Sequence, residues 1–399
     1  MTAHDSSTSW ARARDIARDC VEEALPAVTL DLAGALGHAL ADPLTALTDL
    51  PAFDSSAMDG WAVAGSGPWR LRPGRVLAGG PAVPLPPGTA VAIATGAPLP
   101  EGASAVLRRE DGELTPGGEL RHEGKGPLPE GCDVRPRGQE CRTGEPLLPA
   151  GAAVTPAVLG LAAAAGYDRL TVHRRPVVEL LVLGSELLEA GPPRDGRVRD
   201  ALGPLLPPWL RGSGARVIGR RLVSDDLGLL RAAVHDSAAD VVVTTGSTAA
   251  GPVDFLHDVL DEAGARFLVD SVAVRPGHPM LLAGLPPAAD GRTRHLVGLP
   301  GNPLAAVAGT ATLAVPLLRR LGGHQDAAPL RLPTATDLPG HPRYTRLLPV
   351  RRLAHQVGPL PFDGSAMLRG LACADGLAVV PPGGVPAGTE VEVLEAPAA

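Results

Sequence analysis

Four cysteines in 399 residues, Cys20, Cys132, Cys141 and Cys373, show neither CxxC spacing nor a His-rich neighbourhood. That excludes a thiolate zinc site and a disulfide framework, and it leads us to expect a reducing cytoplasm. Basic excess is also missing: 36 Lys and Arg stand against 43 Asp and Glu, for a net charge of −7. A nucleic-acid binder would carry a basic face, so none is expected as a partner. Long apolar runs are scarce. The charge-free stretches 146–167 and 296–318 are broken by Pro149, Gly151, Pro156 and Gly160 and by Pro300, Gly301 and Pro303, so neither is expected to span a membrane, which takes roughly 20 strongly apolar residues. Charged Asp5, Arg12, Arg14 and Asp15 leave no apolar signal-peptide core, so no leader is expected. The chain has no GxSxG, Walker A or GxGxxG string, and no spacing argues for a Ser-His-Asp triad. Lysine occurs once (Lys125), asparagine once (Asn302) and isoleucine three times, beside 35 arginines and 10 aromatics. These residues need AT-rich codons, so GC-rich coding drift accounts for their scarcity, and positions where one survives invite attention.

Glycine and proline are abundant, at 49 and 43 residues. Pro-(x)-Gly pairs such as Pro87-Gly88, Pro129 to Gly131 and Pro386 to Gly388 deliver the chain into short strands. At roughly 150 residues per domain, the length predicts two to four loop-rich globular domains. Residues 9–25 read as an amphipathic helix capped by Ser9, with Ile16, Cys20, Val21, Ala24 and Leu25 on its apolar face. Short β runs fill about 46–140. From about 176, strands (177–184, 216–223, 239–246, 266–274, 295–299) alternate with helices (202–212, 226–236, 253–263, 304–321), the pattern of a parallel α/β sheet. A small β domain closes the chain from about 325.

In such a sheet, ligands bind beyond the carboxyl ends of the strands. The segments found there are GSELLE (184–189), SDD (224–226), TTGSTAAGPVD (244–254), RPGHP (275–279) and GLPGNP (298–303). Glycines such as Gly246, Gly251 and Gly301 let backbone N–H groups approach a phosphate, while Glu186, Asp226 and Asp254 offer oxygens suited to a hard divalent cation. Each element also has a plainer reading: loop punctuation for the glycines, a helix cap for Asp225 or Asp226, a solvated rim for Glu186, and a surface turn for His278. FDSSAMDGWAV (53–63) and IATGAPLPEGASAV (93–106) read as hairpin elements whose turns display Asp59 and Thr95.

Taken together, these strings resemble the molybdopterin molybdenumtransferase family, the MoeA and gephyrin E-domain proteins. FDSSAMDGWAV is similar to FDxSAMDGYA, IATGAPLPEGASAV to TGAPxPxGADAVV, RPRGQECRTGEPLLPAG to RxxGEDxxxGxxLLxxG, and GLPGNP is the family string unchanged. The resemblance implies an elongated multidomain subunit of class α/β plus β, whose α/β part is similar to molybdopterin adenylyltransferases. Its domains would be a discontinuous linker and dimerisation unit (1–45 and 141–175), a mainly β domain (46–140), the α/β domain (176–324) and a C-terminal β domain (325–399). It also implies a cytoplasmic homodimer that takes molybdate and adenylylated molybdopterin, inserts molybdenum and releases AMP with Mg²⁺ or another divalent cation. A molybdopterin adenylyltransferase and recipient molybdoenzymes stand as further partners.

By motif correspondence, Asp59, Glu186, Asp226 and Asp254 take catalytic positions, the last three as metal ligands. Thr95, Gly246, Ser247, Gly251, Arg275, His278, Pro300, Gly301, Asn302, Pro303 and Ser365 take ligand-binding ones. Ser365 lies in DGSAML (363–368), similar to QGSGML. Arg343 or Arg346 is expected to add charge from a neighbouring subunit. Departures are visible too: TGDEL reads Gly184-Ser185-Glu186, the motif Ser of TSGGVS reads Ala249, DSN reads Asp200-Ala201-Leu202, and two usual lysines read Arg275 and His278. Arg keeps the charge, whereas neutral His weakens the positive field. Those departures motivate an alternative, a divergent paralogue that binds molybdopterin or a nucleotide without turning it over. A hydrolase of another nucleotide fits the first half of the chain less well.

Overall fold

The computed structural model describes residues 7–248, 255–326 and 328–397. Its α/β domain is built on six strands: β1 (Val177–Leu183), β2 (Arg216–Val223), β3 (Val241–Thr245), β4 (Arg266–Asp270), β5 (Leu281–Leu285) and β6 (Arg294–Leu299). They lie in the order β2-β1-β3-β6-β5-β4, parallel from β2 to β6 and antiparallel at β5 and β4. β1 and β3 are buried along their whole length, as strands covered on both faces should be. The chain runs from β1 outward to β2, then crosses to β3 on the other side of β1. The order therefore reverses at β1, and the loops after β1, β2, β3 and β6 share the carboxyl edge.

Two departures from the expected elements matter. The run 266–274 is not one strand: Ser271, at φ +72°, breaks it. β4 stays at the edge of the α/β sheet, while Val272–Arg275 leaves it to pair in parallel with Thr345–Leu353. That second sheet continues through Gly376–Val380 and Glu390–Glu395 to Arg331–Pro333, and Thr8–Ser9 adds to its other edge. The C-terminal sheet thus draws a strand from the α/β domain. The second departure is the N-terminal helix, which spans Trp10–Asp19, with the Ser9 hydroxyl accepting from Arg12 N–H. Its buried face is Trp10, Ala13 and Ala17. Together with Val21 and Leu25 these residues join the core of the α/β domain rather than the linker unit. The linker unit has its own small core, in which Ala35, Leu40 and Leu44 meet Val154, Ala162, Leu170 and Val172 around the pairing of Ala27–Asp31 with Arg169–His173.

The last helical run, Pro303–Leu321, contains a π turn at Thr310–Ala314. A π turn leaves carbonyls outside the regular ladder, and here Ala311 O accepts from Arg14 Nη1 at 2.5 Å while Thr312 Oγ1 accepts from Trp10 Nε1 at 3.1 Å. This run matches the helix expected at 304–321, and at 19 residues and mean hydropathy 1.3 it is long and apolar enough to cross a membrane by length and composition. Yet 78% of its apolar window is buried in the fold, so it is the α/β core helix. The middle domain is a six-stranded sheet formed by Gly60–Val63, Trp69–Val76, Thr89–Ile93, Ala105–Arg108, Gly112–Leu114 and Glu119–His122. Gly60 is obligatory there: a Cβ would lie 2.0 Å from Leu107 O.

Candidate functional site

A cleft of about 610 Å³ opens where the α/β and C-terminal domains share the strand Val272–Arg275. Three of the singled-out strings meet in it: RPGHP through Arg275, Pro276, Gly277 and Pro279, GLPGNP through Pro300 and Asn302, and DGSAML through Asp363, Gly364 and Ser365. Ala305, Gly340, His341, Pro342 and Arg346 complete the wall. Arg346 therefore lines the cleft of its own chain. Its Nη2 donates to Asp363 Oδ2 at 2.6 Å and its Nη1 to Pro339 O at 2.9 Å. Arg275 projects from the strand end, exposed, with its guanidinium 5.2 Å from the centre of the Tyr344 ring.

The helix beginning at Pro303 has Asn302 at its N-cap, and the Asn302 side chain makes no capping bond. Instead the first backbone donors, Leu304 N–H and Ala305 N–H, go to Ser365 O at 2.9 and 3.2 Å. Ser365 thus ties DGSAML to the helix through its carbonyl, which leaves the hydroxyl as the group it can offer a ligand. His278 is not among the lining residues. Its Nδ1 donates to Val272 O at 2.7 Å, and its ring stacks on Tyr344 at 5.4 Å.

The loops after β1, β2, β3 and β6 form a second, adjoining rim. Gly246, at φ +90°, donates to Leu299 O at 2.8 Å, and a Cβ on Gly301 would sit 3.6 Å from Gly246 Cα, so these two motif glycines let two loops touch. Ser247 follows at φ +53°. Ser185 and Asp225 clasp reciprocally: Ser185 N–H donates to Asp225 Oδ2 at 2.9 Å, and Asp225 N–H to Ser185 Oγ at 3.0 Å. Ser185 thereby fills the place of a missing carboxylate with a structural bond. Asp226 caps the helix Leu227–His235, with Oδ1 accepting from Leu229 N–H at 2.8 Å, and Glu186 is exposed. Asp254, Gly251 and Ala249 lie outside the described residues. Among the described residues no three His, Cys, Asp or Glu side chains group as a cation cage. Mg²⁺ commonly takes one or two carboxylates plus substrate phosphates, and the exposed oxygens of Glu186 and Asp226 suit that mode.

Asp59 and Thr95 are brought together, but on the middle domain, and neither lines the cleft. Thr95 N–H and Oγ1 donate to Asp59 Oδ1 at 2.8 and 3.2 Å, holding its carboxyl below the ordinary carboxylate range. In the same domain Asp49 accepts from Thr143 N–H and its hydroxyl, each at 2.8 Å, and from Arg137 Nε at 2.5 Å. These bonds lower Asp49 to about 2. They account for much of the RPRGQECRTGEP string as a local brace. Two ionisable cleft residues escaped the sequence reading, His341 and Asp363. Asp363 stands inside the DGSAML string itself, whereas His341 has no signal beyond its nearness to Arg343 and Arg346.

Fold and cleft define an α/β protein whose candidate ligand site opens at the carboxyl edge of a parallel sheet and is completed by a β domain. The family models agree along the chain: "MoeA N-terminal region (domain I and II)" matches residues 8–166, "Probable molybdopterin binding domain" 179–320, and "MoeA C-terminal region (domain IV)" 331–396. Molybdopterin molybdenumtransferase 2 of Mycobacterium tuberculosis (strain CDC 1551 / Oshkosh) is 33% identical, covering 92% of this chain and 95% of its own. Molybdopterin molybdenumtransferase of Staphylococcus aureus (strain Mu50 / ATCC 700699) is 29% identical over 94% and 92%. The solved molybdopterin biosynthesis moea protein of Pyrococcus horikosii superposes with a TM-score of 0.74 at 25% identity, covering 98% and 99% of the two chains. The chain belongs to the molybdopterin molybdenumtransferase family, a family of transferases in molybdenum cofactor biosynthesis.

Proposed function

We propose that this chain inserts molybdenum, taken from molybdate, into adenylylated molybdopterin and releases AMP. The observation that carries this reading is the meeting of RPGHP, GLPGNP and DGSAML on one cleft beside the glycine loops of the parallel sheet. A tetrahedral oxyanion needs fixed charge and directed donors. Arg275 supplies the charge, and the Asn302 amide and Ser365 hydroxyl supply donors. The rim of Gly246, Ser247 and Gly301 suits the phosphates of the pterin nucleotide. A divalent cation held by Glu186 and Asp226 together with those phosphates would neutralise charge on the group that leaves as AMP.

Asp59 and Thr95 face solvent on a different domain, which fits a homodimer in which the middle domain of one copy approaches the cleft of the other. A cytoplasmic location belongs to the same reading. The purified chain incubated with adenylylated molybdopterin, Mg²⁺ and molybdate should release AMP and yield cofactor that activates an apo-molybdoenzyme. Pterin binding without AMP release at any molybdate concentration would sink the proposal. Mixing Asp59→Asn chains with Arg275→Ala chains should restore part of the activity if the two copies share one site.

A further inference from the structure

The cleft contains two cationic side chains among its described lining residues, and only one of them carries free charge. Arg346 is neutralised by Asp363 at 2.6 Å, whereas Arg275 makes no ion pair among the described residues and leans on the Tyr344 ring. A dianion entering here meets about one net positive charge, so its remaining affinity must come from neutral hydrogen-bond donors.

The two histidines of this region are fixed in opposite tautomers by their backbone partners. A carbonyl can only accept, so His278 Nδ1, 2.7 Å from Val272 O, carries the ring hydrogen. In the neutral ring its Nε2 is then a lone pair, which repels an oxyanion. His341 is the reverse. Its Nδ1 receives two backbone N–H groups, from Arg343 and from Tyr344, each at 3.2 Å. An N–H can only donate, so Nδ1 holds the lone pair and the ring hydrogen sits on Nε2. The ring is clamped flat on buried Tyr344, with centroids 4.8 Å apart and planes 9° from parallel, and His341 lines the cleft. The preceding Gly340 packs so closely on the Gly383-Gly384 turn that a Cβ there would lie 2.1 Å from Gly384 N.

We propose that His341 is a binding residue for a tetrahedral oxyanion in this cleft, acting as a neutral donor through Nε2–H, with Tyr344 as the positioning residue that holds its ring. The role expected of His278 falls to His341 because the backbone dictates which nitrogen bears the hydrogen. This inference rests on the molybdenum-insertion reading. The oxyanion it recognises has two sources, free molybdate or the phosphate of a nucleotide, and the test separates them.

His341→Asn leaves Oδ1 near the place of Nδ1, able to receive both backbone N–H groups, but removes the Nε2–H donor. Calorimetric titration of the full chain with molybdate alone and with AMP alone, before and after the substitution, reads the effect. Losing one hydrogen bond to a charged acceptor should weaken the affected ligand about tenfold or more, with the melting temperature unchanged. A loss confined to molybdate assigns the free oxyanion, and a loss confined to AMP assigns the nucleotide phosphate. Unchanged affinity for both overturns the role of His341 while leaving the insertion reading intact. Failure of the unaltered chain to bind either ligand overturns that reading and this inference with it. Long-range ¹H–¹⁵N spectra of the unaltered chain give a second measurement that requires no folded variant. The His341 ring should show the Nε2–H form and shift when molybdate or AMP is added. An Nδ1–H form, or a ring unmoved by both, overturns the proposal.

Discussion

Replacing Asp363 with Asn should make the cleft bind oxyanions more tightly, although no contact to the ligand is added. Asp363 lines the cleft and neutralises Arg346 through a 2.6 Å bond, with the two side chains 35% and 24% exposed. Asparagine has the same shape and can still accept from the guanidinium, so geometry is preserved while one negative charge disappears. A sphere of the cleft's volume is about 10 Å across, which puts a central ligand about 7 Å from this carboxylate; at an effective dielectric constant of about 20, that repulsion is about 2 kcal/mol per ligand charge. Screening at about 0.15 M salt roughly halves it, leaving about 2 kcal/mol for a dianion, or close to a thirtyfold gain in affinity. The assay is calorimetric titration with molybdate at about 0.15 M and 1 M sodium chloride. At the higher concentration the Debye length is about 3 Å and the gain should nearly vanish. Unchanged affinity at low salt, or a gain that survives high salt, would show that Arg346 and Asp363 do not shape the field of this cleft.

Gly60→Ala forces a Cβ onto the Leu107 carbonyl and should cost about 1–3 kcal/mol, seen as a lower melting temperature. Asp200→Ala removes the bonds to Leu202 and Gly203 N–H and leaves Arg220 short of one partner, so a loss of about 2–3 kcal/mol is expected by urea denaturation. Acid sensitivity should trace to His324, which burial, and then Arg319, Arg175, His38 and His173, lower to about 4. Because its folded value lies below the unfolded 6.5, stability is full above about 6.5 and drains away as pH falls toward 4, by about 2–3 kcal/mol. His324→Gln should flatten that limb of the stability–pH curve, and an unchanged slope would place the acid sensitivity elsewhere.

The α/β elements were legible where period and burial agree. The strand at 216–223 and the helix at 202–212 have the expected bounds, the helix even with Pro207 and Pro208 inside it. Legibility failed where tertiary partners decide. Nothing in RFLVDSVAVR announces that Ser271 turns left-handed and sends the second half into another sheet. LLAGL, for which the strand pattern predicts no element, is antiparallel β5. Of the candidate site, residues of three separate strings came together: Arg275, Pro300, Asn302 and Ser365 share one cleft. His278 did not join them, because its ring answers to Val272 O, a carbonyl six residues away. The acidic set was legible as chemistry but not as roles: Asp226 serves as a helix cap and Asp225 as a clasp between loops. Rare residues proved a useful pointer in one case, since the single asparagine of the chain lines the cleft.

The strand Val272–Arg275 is owned by two domains at once, entering the C-terminal sheet by pairing while its next residues wall the cleft. Such a cleft is a slot rather than a jaw. Moving the C-terminal domain outward would require breaking the parallel ladder in which Val274 lies opposite Thr345 and Arg275 opposite Arg346, the two arginines of the cleft wall. Opening the slot would also part Arg275 from Arg346, so the charge of the wall and the joint between the domains depend on one ladder. Cutting the chain before Arg331 would do more than delete a domain, for it would leave the Arg275 strand with an open edge and its charge without an address.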